Sequence, residues 1–379
     1  MKIILVTHSF YPGSIGGREK CIFTLANALS KRHEVEVFTC SDSFSKSFKK
    51  TINSKFFIRY FPTIRIPVAG TYYRIPYTMF FELIKSNADI IHASDFHHFT
   101  TFISALAAKK SKKPFFLIEH EYPRETGITK LFIDFYNKFF VPTISKSTDV
   151  AIAISNSTKK ELINIYKIQA KKIHVIPDMI NLNEYNSKSV EFRKKYKLEN
   201  KKIILAVGRL VRKKGFQYLI KAFPKILENF PEAVLVIIGP WHNYKNELVS
   251  LVKKMKLKDK IIFTGIVSDK MLKSAIYCSD VFVIPSLHEG FGIVALEAMV
   301  YSKPIVASNA GGLSEILEHN KNSLLVPPGD INKLADEIMK LLKDQKLAKN
   351  IAENARRDVE KYDSRKNIDK LIKIYNECI

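Results

Sequence analysis

Apolar and polar positions along this chain alternate between two regimes. Short apolar runs, many of them β-branched (KIILVT, EVEVFT, ADIIHAS, PFFLIEH, DVAIAIS, KIHVIPD), are separated by longer amphipathic stretches such as GREKCIFTLANALSKR. The runs are too continuous to leave one face wet, so the alternation predicts βαβ units and a parallel sheet covered by helices. A polar, charged segment at 181–201 reads as a linker. The pattern then resumes with KIILAVGRL, AVLVIIG, KIIFTG, DVFVIPS, KPIVAS and SLLVPPG, which predicts a second doubly wound domain. Two such domains imply a cleft between them. Residues 331–379 predict two or three basic amphipathic helices, the last being NIDKLIKIYNECI.

Length agrees with this division, because 379 residues exceed what a single hydrophobic core usually holds. The four cysteines (Cys21, Cys40, Cys278, Cys378) are widely spaced and form no C-x-x-C pair, which gives neither a zinc framework nor a disulfide scaffold and fits a reducing cytoplasm. The first apolar run is too short for a secretory signal, and no run reaches the roughly 18 residues of a spanning helix, so any membrane contact is expected to be peripheral.

The formal net charge of +24 suits nucleic acid, anionic lipid headgroups or phosphorylated substrates. Between residues 43 and 81 seven basic side chains (Lys46, Lys49, Lys50, Lys55, Arg59, Arg65, Arg74) stand among eleven Phe or Tyr with no acidic residue. The segment reads either as a contact for an anionic membrane or as core aromatics with solvated charges. A nucleic-acid-binding protein would explain the charge but not the glycines and glutamates described next.

Glycine is scarce, 14 in all, and nearly all of it follows expected strands, where loops and helix N-termini face ligands in open parallel sheets. Gly16 and Gly17 precede a helix starting near Arg18 and form either a phosphate site or a tight turn. In GRLVRKKG (208–215), Arg209 and Lys214 can converge on a diphosphate, the guanidinium as a planar fork and the ammonium as a point charge. In DVFVIPSLHEGFGIVALEAMVYSKPIVAS (280–308), Glu289 lies in a loop with Gly290 and Gly292. Glu297 is the sole charge on the helix that follows, so it needs either a protein donor or ligand hydroxyls. SNAGGLSE repeats the device with Gly311 and Gly312, and Glu315 there reads as a helix-capping residue.

Together these motifs resemble the GT4 family of retaining glycosyltransferases. They are the Tyr11-Pro12-Gly13 and Gly16-Gly17 loop, Glu119-His120 after a strand, VIPD, GRLVRKKG, EGFGIVALEAM with Glu289 and Glu297 eight positions apart, GGLSE and SLLVPPGD. The resemblance implies the GT-B fold, two doubly wound Rossmann-like α/β domains facing a central cleft. It implies an acceptor domain at 1–187, a nucleotide-sugar domain at 188–362, and a terminal helix, 363–379, returning to the first domain. It implies transfer of a hexose-type or N-acetylhexosaminyl sugar from a UDP- or GDP-sugar to a lipid-linked or glycan acceptor.

By the same resemblance Arg209 and Lys214 neutralise the leaving diphosphate, Glu297 accepts the ribose hydroxyls, and Glu289 stands beside the transferred sugar. Gly290, Phe291, Gly292, Ile293 and Val294 present amides to the donor, Gly16 and Gly17 approach it, and His120 lies near the reaction centre. No enzyme nucleophile, cofactor or catalytic metal is expected. His92, His97 and His98 read as polar loop residues and not as a metal cluster. The chain departs from the family pattern at VIPDMINLNEY, where Asp178 and Met179 are expected to alter the hinge or acceptor details, and at Ser314. Expected partners are the donor, the acceptor and an anionic membrane surface, with no nucleic acid, and the expected location is the cytoplasm, peripheral to the membrane. A soluble sugar acceptor, a non-catalytic nucleotide-sugar sensor and a nucleic-acid-binding protein are the alternatives.

Overall fold

A computed structural model describes residues 1–14, 16–41, 48–52, 56–68, 71–123, 127–241 and 244–379. The chain forms two compact units, Met1–Met179 with Ser364–Ile379, and Ile180–Asp363.

The first unit holds β1 (Lys2–Thr7), β2 (Glu34–Cys40), β3 (Phe48–Ile52), β4 (Phe56–Phe61), β5 (Ile64–Val68), β6 (Thr71–Ile75), β7 (Ile90–Ser94), β8 (Phe115–Glu119), β9 (Val150–Ala153) and β10 (Ile173–Val175). Eight of these pair in the order β10-β9-β8-β7-β1-β2-β4-β3. All pairings are parallel except β3 with β4, and β5 and β6 form a separate antiparallel hairpin. The antiparallel pieces fall in the basic, aromatic segment, where the parallel-sheet expectation does not hold. β7, β8 and β9 are buried throughout, which is why their sequences show no polar alternation. The helix Ser364–Asn376 packs in this unit, on the helix Gly17–Leu29. Its Asp369 pairs with Arg32, and its buried Tyr375 reaches His92.

The second unit holds β11 (Lys202–Val207), β12 (Ala233–Ile238), β13 (Ile261–Gly265), β14 (Val281–Ile284), β15 (Ile305–Ser308) and β16 (Leu324–Val326), ordered β13-β12-β11-β14-β15-β16 and all parallel. Segment 181–201 belongs to this unit and carries a short 3-10 helix, Leu182–Tyr185, and the helix Glu191–Lys195. Each unit has its own apolar core.

These strand orders position the chemistry. In the second unit β11 pairs with β12 on one side and with β14 on the other, so the loops leaving β11 and β14 diverge at the point where strand order reverses. In the first unit β1 lies between β2 and β7, and the loops after β1 and β7 diverge likewise. Ligands of open parallel sheets bind at such points.

Candidate functional site

In the second unit, β11 runs into Gly208, Arg209 and a 3-10 turn at Arg212–Lys214, then into the helix Phe216–Asn229. Gly215 closes the turn at φ +70°, and a Cβ there would stand 1.8 Å from the Pro285 carbonyl oxygen, so only glycine lets this loop press on the one after β14. Leu287 N–H donates to Lys213 O at 2.8 Å and fixes the two loops together. The Lys214 ammonium consequently donates to Glu289 Oε1, which also accepts from Ser286 Oγ at 2.8 Å. Burial would raise the Glu289 pKa, but the Lys214 charge and the two hydrogen bonds outweigh it and hold the carboxyl below its usual range. Glu289 is therefore a buried carboxylate at neutral pH.

Arg209 is exposed at the end of β11, one residue after Gly208, against which the Lys214 stem lies. Gly292 caps the helix Ile293–Val300, whose first turn presents Ile293 and Val294. Gly290 precedes the buried Phe291, whose ring meets Tyr362 edge-on at 5.7 Å. The loop after β15 is tied to the same place, Gly312 N–H donating to Glu289 O at 2.8 Å. Glu315 lies in the first turn of the helix Leu313–Ile316, which Gly312 caps. Glu297, buried on its apolar helix, accepts from the Tyr185 hydroxyl at 3.0 Å. The sequence demanded a partner for Glu297 but did not name one, because Tyr185 lies in the stretch read as a polar linker.

In the first unit Gly16 caps the helix Gly17–Leu29, and the loops after β1 and β7 meet there. His8 stacks on His98 with ring centroids 4.4 Å apart, and Arg18 reaches His98 Nε2 at 3.4 Å and Asp95 Oδ2 at 3.3 Å. Asp95 has φ +64°, a strained conformation for a residue with a side chain. Its Oδ1 accepts from the backbone N–H and the Nδ1 of His120, at 3.2 and 2.9 Å. His120 Nε2 is buried with no hydrogen-bond partner, 3.7 Å from Asp178 Oδ1. Burial lowers the His120 pKa, but Asp95 and Asp178 together outweigh it and the net direction is upward. Burial also lifts Glu119 well above the carboxylate range, with the Asp95 charge adding to it. Glu119 Oε2 accepts from Phe96 N–H at 2.9 Å and so anchors the loop that carries Asp95.

One correction follows. His97 and His98 lie in the loop after β7 as expected, but His92 is a residue of the strand itself. His92 is buried on β7 with Nδ1 2.5 Å from the Tyr375 hydroxyl, His97 Nε2 lies 2.8 Å from Asn137 Oδ1, and His98 stacks on His8. Burial lowers their pKa values to about 3, 4 and 3, so all three are neutral. Asp178 stands at His120, its Oδ1 3.7 Å from Nε2. The aromatics of segment 43–81 divide: Phe56 and Phe61 are core, and Phe57, Tyr72, Tyr77 and Phe81 are exposed. Arg59 pairs with Glu82 at 2.6 Å, while Lys46, Lys55, Phe44 and Gly70 lie outside the described residues. Among the described residues no His, Cys, Asp and Glu group is arranged to hold a metal ion, and no helix is long and apolar enough to cross a membrane.

The site residues thus form two sets. Arg209, Lys214, Glu289, Gly290, Phe291, Gly292, Ile293, Val294 and Glu297 belong to the second unit, and Gly16, Gly17 and His120 to the first. Asp95, Arg18 and Tyr185 join them, and none was singled out by its sequence context.

Comparison with known proteins identifies the family. Residues 188–358 match the model of the glycosyl transferases group 1, and residues 15–184 match that of glycosyltransferase family 4. An uncharacterized glycosyltransferase of Methanocaldococcus jannaschii is 32% identical over 381 residues, covering 96% of this chain and 94% of its own. A GDP-mannose-dependent phosphatidylinositol monomannoside mannosyltransferase of Mycobacterium tuberculosis is 30% identical over 54% of this chain and 55% of its own. Among solved structures, Anabaena HepE in complex with UDP and glucose superposes with a TM-score of 0.81 at 22% identity, with both chains fully covered. The chain belongs to the group 1, GT4-type glycosyltransferases and has the GT-B fold.

Proposed function

We propose that this chain is a retaining transferase that moves a hexose-type or N-acetylhexosaminyl sugar from a UDP- or GDP-sugar to a lipid-linked or glycan acceptor at the cytoplasmic face of a membrane. The observation that carries the donor assignment is the partly buried Lys214 bonded to the buried Glu289 and, through it, Ser286, where strand order reverses between β11 and β14. A diphosphate there would draw Lys214 and Arg209 and the free N–H groups of the helix beginning at Ile293, leaving Glu289 to accept hydroxyls of the sugar. Glu297, already oriented by Tyr185, suits the ribose diol. His120, with Nδ1 committed to Asp95, has Nε2 free to donate to a sugar hydroxyl or the reacting oxygen. Neither carboxylate needs to act as a nucleophile and no metal is required, since Lys, Arg and helix N-H groups supply the charge that the departing diphosphate develops. The HepE complex and the mannosyltransferase relative support UDP and GDP donors respectively, and the latter supports a lipid acceptor.

Calorimetric titration with UDP-, GDP- and ADP-sugars tests the donor site. One of the first two is expected to bind, and Lys214→Ala and Glu297→Ala are each expected to weaken it roughly tenfold or more, the loss of a charged hydrogen bond. Binding of none by folded protein sinks the enzyme reading. Inverted anomeric configuration in the product, read by NMR, sinks the retaining mechanism.

A further inference from the structure

Asp178, one of the positions at which the chain departs from the family pattern, faces the outer nitrogen of His120. The inner nitrogen is committed: Asp95 Oδ1 lies 2.9 Å from Nδ1 and also accepts the His120 backbone N–H. Nε2, by contrast, is buried without a hydrogen-bond partner among the described residues, and Asp178 Oδ1 is 3.7 Å away. Both side chains are more than nine-tenths buried. Asp178 is itself held in place, its carboxylate hydrogen-bonded by the Cys21 thiol of the helix Gly17–Leu29. Leaving a buried nitrogen unbonded is unfavourable, so the arrangement suits a group that reaches both atoms.

The separation selects the chemistry of that group. At 3.7 Å the nitrogen and the oxygen are too far apart to bond each other, and close enough for one oxygen atom to touch both. With Nδ1 donating to Asp95 and the His120 pKa moved upward, Nε2 carries a proton and the pair presents one donor and one acceptor. The group between them must accept one hydrogen bond and donate another from the same atom. A hydroxyl does both, whereas an ether oxygen or a carboxylate only accepts and an ammonium only donates. Charge points the same way. Arg18 pairs with Asp95, and the His120 cation stands against the Asp178 carboxylate, so these four groups sum to zero and leave no net charge for an ionic ligand.

We propose that His120 Nε2 and Asp178 Oδ1 clamp one hydroxyl of a substrate, which makes Asp178 a specificity-determining residue of the first unit. Resting on the transferase reading, the clamp deepens it. The sugar or polyol that docks here must carry a free hydroxyl at the clamped position, and its deoxy, O-alkylated or carboxylate counterpart is rejected, because each leaves a buried polar atom unpaired. The hydroxyl belongs to the transferred sugar or to the acceptor, the two hydroxyl-bearing substrates of that reading.

NMR of the full chain carrying isotope-labelled histidine tests it, because the Nε2 signal of His120 reports on the clamp directly. UDP-glucose and GDP-mannose, each compared with its bare nucleoside diphosphate, form the donor arm. Glucose, mannose, N-acetylglucosamine and myo-inositol, added together with the nucleoside diphosphate, form the acceptor arm. A probe from one arm is expected to move the Nε2 signal, and the arm names the source of the hydroxyl. Asp178→Ala is expected to weaken that probe roughly tenfold to a hundredfold, the worth of a hydrogen bond to a charged group, and to leave the bare nucleoside diphosphate unaffected. Asp178→Asn keeps the shape and an acceptor oxygen without the charge; it is expected to weaken the probe less, and it keeps the test open should the alanine variant not fold. The analogue of that probe lacking the clamped hydroxyl is expected to bind the wild type weakly and to lose nothing more in Asp178→Ala. A clamp filled only by water, whose signal no probe moves, overturns the proposal, as does probe affinity unchanged by both substitutions. Calorimetry with UDP and GDP on the same samples separates the two levels. Nucleotide binding with a silent Nε2 confines the failure to the clamp, and its absence from the wild type counts against the transferase reading instead.

Discussion

The Asp95–His120 pair shows how a few buried groups set one another's protonation. Asp95 accepts twice from His120 and once from Ser94 while pairing with Arg18, so it stays ionised despite burial. Its charge keeps His120 cationic to higher pH than an ordinary histidine. His120 has a raised folded-state pKa, so the stability it adds is fully present below the unfolded value of about 6.5 and is lost as pH rises through the folded one. Asp95 is the reverse case: its contribution is present above the unfolded value of about 3.9 and is lost as pH falls through the depressed folded value. Asp95→Asn removes both, leaving burial as the dominant influence on the imidazole. The His120 resonances, followed by NMR, are expected to titrate above the ordinary histidine value in the wild type and below it in the variant, with a stability loss of about 3 kcal/mol. An unmoved titration would show that Asp178 alone holds the proton. His120 was legible in the sequence only through its resemblance to a family motif. Asp95 was not legible at all, because an aspartate between a strand and a helix is most often a turn or cap residue, and what distinguishes this one, its left-handed backbone and its aim at His120, exists only after folding.

At the scale of elements, the strands read as continuous apolar runs are found where the pattern placed them, because burial on both faces leaves a sequence signal that local chemistry does not disturb. KIILVT and β1 coincide at Lys2–Thr7. The hairpin β5–β6 and the strands β3 and β4 escaped notice. There basic residues stand among aromatics in the sequence, and in β4 Phe57 is exposed beside the half-buried Arg59, so the run of apolar residues breaks up and the segment resembles a charged loop. The donor loops were legible through glycine, and Gly215 shows why. It combines φ +70° with a Cβ position 1.8 Å from the Pro285 oxygen, whereas Gly127, at φ +62°, has nothing within 4 Å of its Cβ position. Gly127→Ala is expected to cost about 1 kcal/mol, the left-handed backbone alone. Gly215→Ala must also push the β11 and β14 loops apart, costing several-fold more by thermal denaturation and weakening nucleotide-sugar binding through displacement of Lys214 from Glu289. Equal costs at the two positions would mean that the loop contact contributes nothing.

At the scale of the whole molecule, the first unit is built from both ends of the chain. The helix Ser364–Asn376 completes it through Tyr375, fully buried, edge-on to Phe116 at 4.8 Å and hydrogen-bonded to His92 on the central strand β7. The second unit has a separate apolar core, which contains no residue of the first. A lesion at Tyr375 should therefore be felt by one unit. Removing a buried aromatic costs about 3–5 kcal/mol through lost contacts and the cavity left behind, and Tyr375→Ala also strands the His92 nitrogen. Calorimetric unfolding can separate the units, because a nucleotide sugar that binds the native second unit raises only the transition belonging to it. Tyr375→Ala is expected to lower the transition that the donor does not raise and to leave the other in place. A single transition that moves as a whole, with or without donor, would show that the two cores melt as one and that the ends of the chain stabilise both.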